Sequence, residues 1–317
     1  MIITIGAFDG FHKGHAELLN ICRKYAVDNQ WGVVTFYPHP SEFMHKLNHT
    51  LFTLKEIDLI RKILEIPNIF ILNFDEEIKN LSPLNFWDLL RRKLNVDGLV
   101  MGSDFHFGAG RSGNAEYLEK IARSDGIDKI FVADLLNKNI YSSSNIRQKI
   151  SEGNVENAAE ILGYSWFMIS SVVRGCERGR TMHFPTANLK LSENRIVPSD
   201  GVYSTAVLIN HEWHCGALSI GNNPTFHDIN EKRAEVHILN FSGDIYGNEL
   251  PVFFLGRVRD IKTFSGKTEL MQQIEFDVKT CEKIYENEKL KHKKFFEHVE
   301  RIFYTQKNLK SEIINLI

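Results

Sequence analysis

Short apolar runs alternate with helix-like segments over the first half of the chain. The runs cover residues 1–5, 31–37, 69–73, 99–102 and 129–133, and between them apolar residues recur at helical spacing. Strands that alternate with helices in this way predict an α/β fold with a doubly wound parallel sheet. Ligands of such sheets bind at the carboxyl ends of the strands, so the residues after each run are the first candidates for a site.

The pattern changes after Gly163, where short apolar runs follow one another closely with Gly, Asn and Asp turns between them. The runs at residues 166–173, 202–209, 213–220, 234–241 and 250–258 predict a small antiparallel β-barrel. Short helices are predicted over residues 145–162, and helical spacing returns beyond residue 268. We therefore expect one domain at residues 1–162 and a barrel domain with C-terminal helices at residues 163–317.

Composition and charge narrow the class of protein. The 317 residues are 43% hydrophobic and 25% charged, enough to bury two cores of ordinary size. The net charge of −2 argues against a general nucleic-acid binder, and no apolar run approaches the roughly 20 residues that span a bilayer. Because the first predicted strand begins at Met1, we expect neither a signal peptide nor a membrane anchor.

The four cysteines suit a reducing compartment. Cys22, Cys176, Cys215 and Cys281 are far apart in the sequence and form no Cys-x-x-Cys pair. This spacing suggests neither a zinc site nor a disulfide framework. We expect a cytoplasmic protein that acts on small molecules, without nucleic acid or membrane partners; self-association stays open.

The most informative segment follows the first apolar run. Residues 6–15 read Gly-Ala-Phe-Asp-Gly-Phe-His-Lys-Gly-His. Glycines let the backbone turn sharply and approach a phosphate, and His12 and His15 fall at the entrance to a predicted helix. Imidazoles there can donate hydrogen bonds to phosphate oxygens and, if protonated, neutralise charge on a departing pyrophosphate. Surface histidines or a partial zinc site would explain neither the glycines nor the strand, so the segment indicates chemistry on ATP.

Three more polar segments follow predicted strands. Residues 35–40, Thr-Phe-Tyr-Pro-His-Pro, carry an aromatic side chain, Phe36, that either borders a flavin ring or plugs the core, and the residues alone favour the plug. In residues 102–111, Asp104 can accept from a ribose or base and Arg111 can clamp a phosphate. Residues 142–147, Ser-Ser-Ser-Asn-Ile-Arg, are either a helix cap or a phosphate site.

Two features of the second half could carry chemistry. Thr186 and Asn188 of the run Pro-Thr-Ala-Asn lie two apart on an extended chain, so they point the same way and offer hard oxygen ligands for magnesium with ATP. Taken alone, this run is better explained as a turn. Glu235 lies among apolar residues of a predicted strand and could accept a proton. From the alternation alone, an ordinary outward-facing glutamate is a plausible explanation.

These segments together resemble one family. Residues 6–15 resemble the His-x-Gly-His signature of the nucleotidyltransferases. Their longer form, Gly-x-Phe-Asp-Gly-x-His-x-Gly-His, resembles the prokaryotic bifunctional riboflavin kinase/FMN adenylyltransferases, or FAD synthetases. Pro-Thr-Ala-Asn resembles the riboflavin kinase signature, and the similarity runs from residue 1 to about residue 285. The resemblance implies a Rossmann-like nucleotidyltransferase domain followed by a barrel. It also implies that ATP and Mg²⁺ are used to convert riboflavin to FMN and FMN to FAD.

The resemblance also implies roles for individual residues. The catalytic residues would be His12, His15 and Glu235. ATP for adenylylation would be bound by Gly6, Phe8, Asp9, Gly10, Gly14, Asp104, Ser143, Ser144 and Arg147. The flavin of that reaction would be bound by Phe36, Pro38, His39, Phe105, Phe107 and Arg111. ATP for the kinase would be bound by Gly175, Gly179, Thr186 and Asn188, the last two also holding the metal.

Two positions depart from the family pattern in the kinase half. His183 stands where the family usually has the glycine before Phe-Pro-Thr-Ala-Asn, and Ser171 stands where a glycine usually opens the preceding run. A Cβ beside a phosphate loop either blocks close approach or, with an imidazole, adds a donor. Two alternatives therefore stay open: a monofunctional FAD synthetase whose kinase-like domain is impaired or only binds flavin, and a flavin-sensing protein without turnover.

Overall fold

The computed structural model describes residues 1–44, 49–134, 137, 139–174, 184–222, 232–305 and 313–316. Two compact units make up the chain. The first is Met1–Ser143 together with Lys310–Ile317, and the second is Ser144–Leu309.

The first unit is built on a parallel sheet. Its strands from this part of the chain are β1 (Ile2–Ile5), β2 (Trp31–Tyr37), β3 (Asn68–Asn73), β4 (Gly98–Gly102) and β7 (Lys129–Ala133), with a short hairpin of β5 (His106–Phe107) and β6 (Gly113–Asn114) after β4. The helices are α1 (Lys13–Tyr25), α2 (Pro40–Phe43), α3 (Leu54–Ile63), α4 (Glu76–Asn80), α5 (Pro83–Lys93) and α6 (Ala115–Ser124). The strand order β3-β2-β1-β4-β7 confirms the predicted doubly wound α/β fold.

The strand order reverses beside β1, which pairs with β2 on one side and β4 on the other. Ile3 of β1 and Leu99 of β4 are fully buried, in one core with Trp87 and Leu90 of α5. The Trp87 indole donates to Asp125 Oδ2 at 2.7 Å, which satisfies the polar atom of this buried ring. Where the strand order reverses, the loops at the carboxyl ends of the two neighbouring strands lead away in opposite directions. They leave a crevice there, in which ligands of such sheets bind.

The second unit contains the predicted barrel, which is closed. Its strands are β8 (Phe167–Val173), β9 (Thr186–Leu189), β10 (Gly201–Ile209), β11 (Glu212–Asn222), β12 (Lys232–Ile238) and β13 (Glu249–Arg259), in the order β10-β11-β12-β9-β8-β13. The helices are α7 (Ser143–Ser151), α8 (Val155–Leu162), α9 (Lys267–Lys291) and α10 (Lys293–Thr305). The sequence pattern missed β9 as a barrel strand because four residues are too few to show a period.

A buried ion pair joins α9 to the barrel. Arg259 of β13 donates from Nε to Asp277 Oδ1 at 2.9 Å and from Nη2 to Oδ2 at 2.6 Å. Asp277 is only 4% exposed, and Gln273 also donates to it at 2.8 Å. The buried Asp277 carboxylate is therefore compensated by a bidentate contact with the guanidinium, the geometry that makes such ion pairs strong. None of the described helices is long and apolar enough to cross a membrane.

A strand from the far end of the chain completes the first sheet. The strand β14 (Ile313–Asn315) pairs in parallel with β3, from Ile313 opposite Ile69 to Asn315 opposite Ile71. Leu316 N donates to Ile71 O at 2.9 Å, and the Leu316 side chain is 8% exposed within the sheet core. The strand covers the hydrogen-bonding edge of β3, which would otherwise be open to pairing with another chain. Three residues without a pattern gave no signal for it in the sequence.

We expect Leu316→Ala to destabilise the first unit by about 2 kcal/mol, because the variant empties a buried position at the edge of the core. Hydrogen exchange of the β3 amides in urea, read by mass spectrometry, measures this unit alone. Ile314→Ala on the same strand is the matched control, since Ile314 is 41% exposed. Equal effects of the two substitutions would contradict the packing of Leu316.

Candidate active sites

The segment after β1 adopts an unusual backbone. Phe8, Gly10 and Phe11 have φ values of 39°, 97° and 42°, all in the left-handed region that favours glycine. For a residue with a Cβ this conformation costs on the order of 1–2 kcal/mol. Burial of the two phenylalanine side chains offsets this conformational cost. Their rings are 2% and 3% exposed and stack on each other with centroids 5.3 Å apart.

Hydrogen bonds from three other segments hold this loop. The Thr35 hydroxyl, on β2, donates to Ala7 O at 2.9 Å, and the Ser143 hydroxyl donates to Asp9 O at 2.5 Å. The backbone N–H of Leu51 donates to Asp9 Oδ1 at 3.3 Å. Ser143, which the sequence predicts to bind ATP, thus lies at this loop, and its hydroxyl donates to a backbone carbonyl of the loop. Ser144 and Arg147 lie on α7 within the second unit.

The two predicted histidines stack on each other at the start of α1. His12 is the residue before the helix and His15 lies in its first turn, with ring centroids 3.9 Å apart and planes 19° apart. The Phe8 ring lies 4.7 Å from that of His15. A Cβ at Gly14 would lie 2.9 Å from His12 Nδ1 and 3.1 Å from Tyr141 O. The glycine between the histidines is therefore required by steric exclusion.

Both imidazoles are removed from water. Burial lowers the pKa of His12 to about 4, against a smaller opposing effect of its own backbone. Burial, and then the charge of His12, lower the pKa of His15. The buried Nδ1 atoms of both rings have no hydrogen-bond partner on any other described residue. Two imidazoles with unsatisfied polar atoms at a helix N-terminus make this segment a candidate site for an anionic ligand.

Phenylalanines form a continuous wall after β2 and β4. Phe36 contacts Phe74 at 5.7 Å and Phe86 at 6.2 Å, and Phe105 stacks on Phe107 at 5.4 Å with planes 10° apart. Phe36 and Phe105 pack on the core but stay partly exposed. Phe36 therefore plugs the core with one part of its ring and offers another part to a ligand. A flat aromatic guest stacks well on such a wall.

The remaining predicted flavin and ATP residues of this unit lie on loops. The Tyr37–Pro38 peptide is cis, and His39 Nδ1 accepts from Ser41 N at 3.1 Å, which caps α2. Asp104 and Arg111 are exposed on the connection from β4 to α6. Arg111 has a φ of 60°, so its backbone is also held in the left-handed region. These loops follow the carboxyl ends of adjacent strands, as the loop of the histidines does.

Polar side chains cover one face of β9 and β12 in the barrel. Glu235 lies opposite Asn188, and His237 lies opposite Thr186. Directly opposite residues of an antiparallel pair share a face, so the four side chains form one patch. The Thr186 hydroxyl donates to Glu235 Oε2 at 3.5 Å, a long hydrogen bond. The sequence prediction missed His237, although its position two residues after Glu235 was a signal.

A cavity of about 420 Å³ lies beside this patch. Its walls include Val172, Pro185, Thr186, Val236, Phe241 and Tyr246. The volume lies in the range of small-molecule sites, and Thr186 lies both on the polar patch and in the cavity wall. The predicted Gly175 and Gly179, and the departure at His183, lie outside the described residues. Ser171 is on β8, where it pairs with Glu249.

The chain matches known proteins over both halves. A family model described as FAD synthetase matches residues 1–145, and one described as riboflavin kinase matches residues 162–285. The bifunctional riboflavin kinase/FMN adenylyltransferase of Listeria monocytogenes is 34% identical over 283 residues, covering 87% of this chain and 90% of its own length. That of Bacillus subtilis is 33% identical over 298 residues, covering 90% and 93%. A solved Streptococcus pneumoniae structure, called a macrolide-efflux protein, has a TM-score of 0.79 at 31% identity, covering 89% and 93%.

The depressed pKa of His12 makes the stability of the first unit depend on pH. The unfolded chain protonates this histidine near the ordinary pKa of 6.5, whereas the folded chain holds the pKa at about 4. The unfolded state therefore binds the proton first as the pH falls, and the free energy of unfolding should drop by about 2 kcal/mol between pH 7 and pH 5. His12→Gln should lose this part of the pH dependence. Hydrogen exchange of the β1 amides in urea at both pH values measures it, and an unchanged pH dependence in the variant would refute the assignment.

Proposed function

Because this chain belongs to the family of bifunctional riboflavin kinase/FMN adenylyltransferases, we propose that its stacked histidines and its barrel patch are the two active sites. The enzyme uses ATP to phosphorylate riboflavin to FMN and to adenylylate FMN to FAD. Both family models match, and the relatives are named bifunctional, so this assignment is favoured over a monofunctional FAD synthetase. The observation that carries the first site is the stacked imidazole pair with unsatisfied Nδ1 atoms at the start of α1.

In the first reaction an oxygen of the FMN phosphate attacks the α-phosphorus of ATP. The bond from that phosphorus to the bridging oxygen breaks, and pyrophosphate leaves with the electron pair. No nucleophilic side chain is needed, so the protein acts by positioning and by stabilising charge. His12 and His15 donate hydrogen bonds to the phosphates, and an anion bound beside the stacked pair would favour their protonated forms.

The surrounding residues would orient the two substrates. Gly6, Gly10 and Gly14 allow the loop to approach ATP, with Phe8 and Asp9 shaping it; Asp104, Ser143, Ser144 and Arg147 would bind the nucleotide. Phe36, Pro38, His39, Phe105, Phe107 and Arg111 would bind the flavin. The partly exposed rings of the phenylalanine wall support that assignment.

In the second reaction the 5′-hydroxyl of riboflavin attacks the γ-phosphorus of ATP, and ADP leaves. Glu235 would take the hydroxyl proton, since it lies on the polar patch with Thr186 and Asn188. The hydroxyl and amide oxygens of these two residues are hard donors on one strand face, which fits Mg²⁺ bound with ATP. When bound, Mg²⁺ would shield the negative charge of the phosphates. Gly175 and Gly179 stay predictions for the same nucleotide.

The cysteines support a cytoplasmic location. Cys22, Cys215 and Cys281 are free and buried, and burial raises the pKa of Cys22 and Cys281 to about 12. Inert thiols of this kind suit a reducing compartment. The substrates are small molecules, and the net charge of −2 speaks against nucleic acid as a partner.

We expect His15→Ala to reduce FAD formation from FMN and ATP about 100-fold or more, because it removes preorganised charge stabilisation. Pyrophosphate release in the presence of FMN measures the rate. Phosphorylation of riboflavin by the same variant is the control and should stay within about twofold of the wild type, since the two sites are in separate units. An unaltered rate of FAD formation would eliminate the stacked histidines as the adenylylation centre.

We expect Glu235→Gln to reduce riboflavin phosphorylation about 100-fold or more, because the amide cannot accept the hydroxyl proton. FMN formation from riboflavin and ATP, separated by chromatography, measures this. Glu212→Gln provides the matched control, as Glu212 is an exposed glutamate on β11 of the same barrel. If both variants phosphorylate riboflavin at the wild-type rate, Glu235 is an ordinary strand residue.

A further inference from the structure

His237 makes a hydrogen bond at the point where the pairing of β9 and β12 ends. The last paired residues are His237 and Thr186, and Thr186 is the first residue of β9. The His237 Nδ1 atom lies 2.8 Å from Pro185 O, just beyond that pair. A carbonyl oxygen can only accept, so Nδ1 must carry the hydrogen. The Phe184 ring also meets the His237 ring edge to face, with centroids 5.4 Å apart.

This contact acts on the peptide group that precedes Thr186. The carbonyl of Pro185 and the N–H of Thr186 belong to one rigid plane, so holding the oxygen fixes the direction in which β9 begins. Pro185 is exposed and lies outside the strand ladder, so no strand pairing includes its carbonyl. The His237 side chain thus extends the β9–β12 contact by one residue. It does so next to the hydroxyl that faces Glu235.

We propose that His237 is a positioning residue for riboflavin phosphorylation. Its Nδ1–H holds the Pro185–Thr186 peptide, and through it the Thr186 hydroxyl, in the orientation that receives the metal–nucleotide complex. The proposal rests on the proposed kinase role of Thr186 and adds the group that orients it. His237 lies on the same strand face as Glu235 but acts through the backbone and touches no reacting atom.

Two amide substitutions separate this role from a direct contact with substrate. In His237→Asn the side-chain amide reaches about as far as Nδ1, so it can still donate to Pro185 O. In His237→Gln the amide reaches the place of Nε2 instead. His237→Ala removes both ring nitrogens. The Asn and Gln variants carry the same amide group, so the position of the donor is what their comparison tests.

Steady-state kinetics of all three variants decide the proposal. We expect His237→Ala and His237→Gln to lower kcat/KM for MgATP in riboflavin phosphorylation about tenfold, the effect of one lost hydrogen bond beside the site. The loss should lie mainly in KM for MgATP, with KM for riboflavin unchanged. His237→Asn should stay within about twofold of the wild type. FMN adenylylation by the same proteins is the internal control and should not change.

Two outcomes would overturn the proposal. Wild-type kinetics in His237→Ala would show that the hydrogen bond is dispensable. Activity retained in His237→Gln but lost in His237→Asn would assign a direct role to Nε2. If His237→Ala loses both reactions through poor folding, the comparison of Asn with Gln still decides.

A second measurement does not depend on activity. Nitrogen-15 NMR of the histidine side chains should show His237 with its hydrogen on Nδ1 in the wild type, and the neutral Nε2–H form would refute the contact. Absence of riboflavin phosphorylation by the wild type would instead refute the proposed kinase function, while this NMR result would stand.

Discussion

The close approach of the His12 ring to Gly14 is the constraint around which the first site is arranged. A Cβ at position 14 would lie 2.9 Å from His12 Nδ1 and 3.1 Å from the carbonyl oxygen of Tyr141, closer than side chains normally pack. With glycine there, the His12 ring settles against the helix start and His15 stacks on it. The chain reaches this position only through left-handed residues, which the buried rings of Phe8 and Phe11 and the hydroxyl of Ser143 hold in place. The stacking of the histidines thus depends on the glycine between them, on the left-handed backbone before them and on the buried phenylalanine rings that hold that backbone.

The same packing determines the charge state of the histidines. Two imidazoles stacked out of water disfavour protonation, the second more so once the first is charged. The sequence pattern allowed for imidazolium groups that neutralise phosphate. In the structure burial favours the neutral rings, and their Nδ1 atoms have no hydrogen-bond partner on another described residue. At the proposed adenylylation site a phosphate would supply a counter-charge, so we expect substrate binding to be coupled to proton uptake by these rings.

How much the sequence revealed depended on the length and regularity of each segment. The five parallel strands were predicted because each is a short apolar run, and β1 to β4 are largely buried, as such runs in parallel sheets usually are. The strands β9 and β14 were missed, since four and three residues carry no period and depend on their pairing partners. Phe36 could not be assigned to core or ligand from sequence because its ring serves the core while remaining partly exposed. The relation of His237 to Thr186 depends on strand register, which spacing along one strand does not encode.

Both sites hold their loops by a side-chain donor that reaches a backbone carbonyl outside the regular ladders. Ser143 reaches Asp9 O in the first unit, and His237 reaches Pro185 O in the second. Neither Asp9 nor Pro185 lies in a strand, so the side-chain donor fixes the peptide plane that strand pairing leaves unheld. In the proposed sites, a side chain can therefore orient a substrate-binding segment through its backbone without touching the substrate.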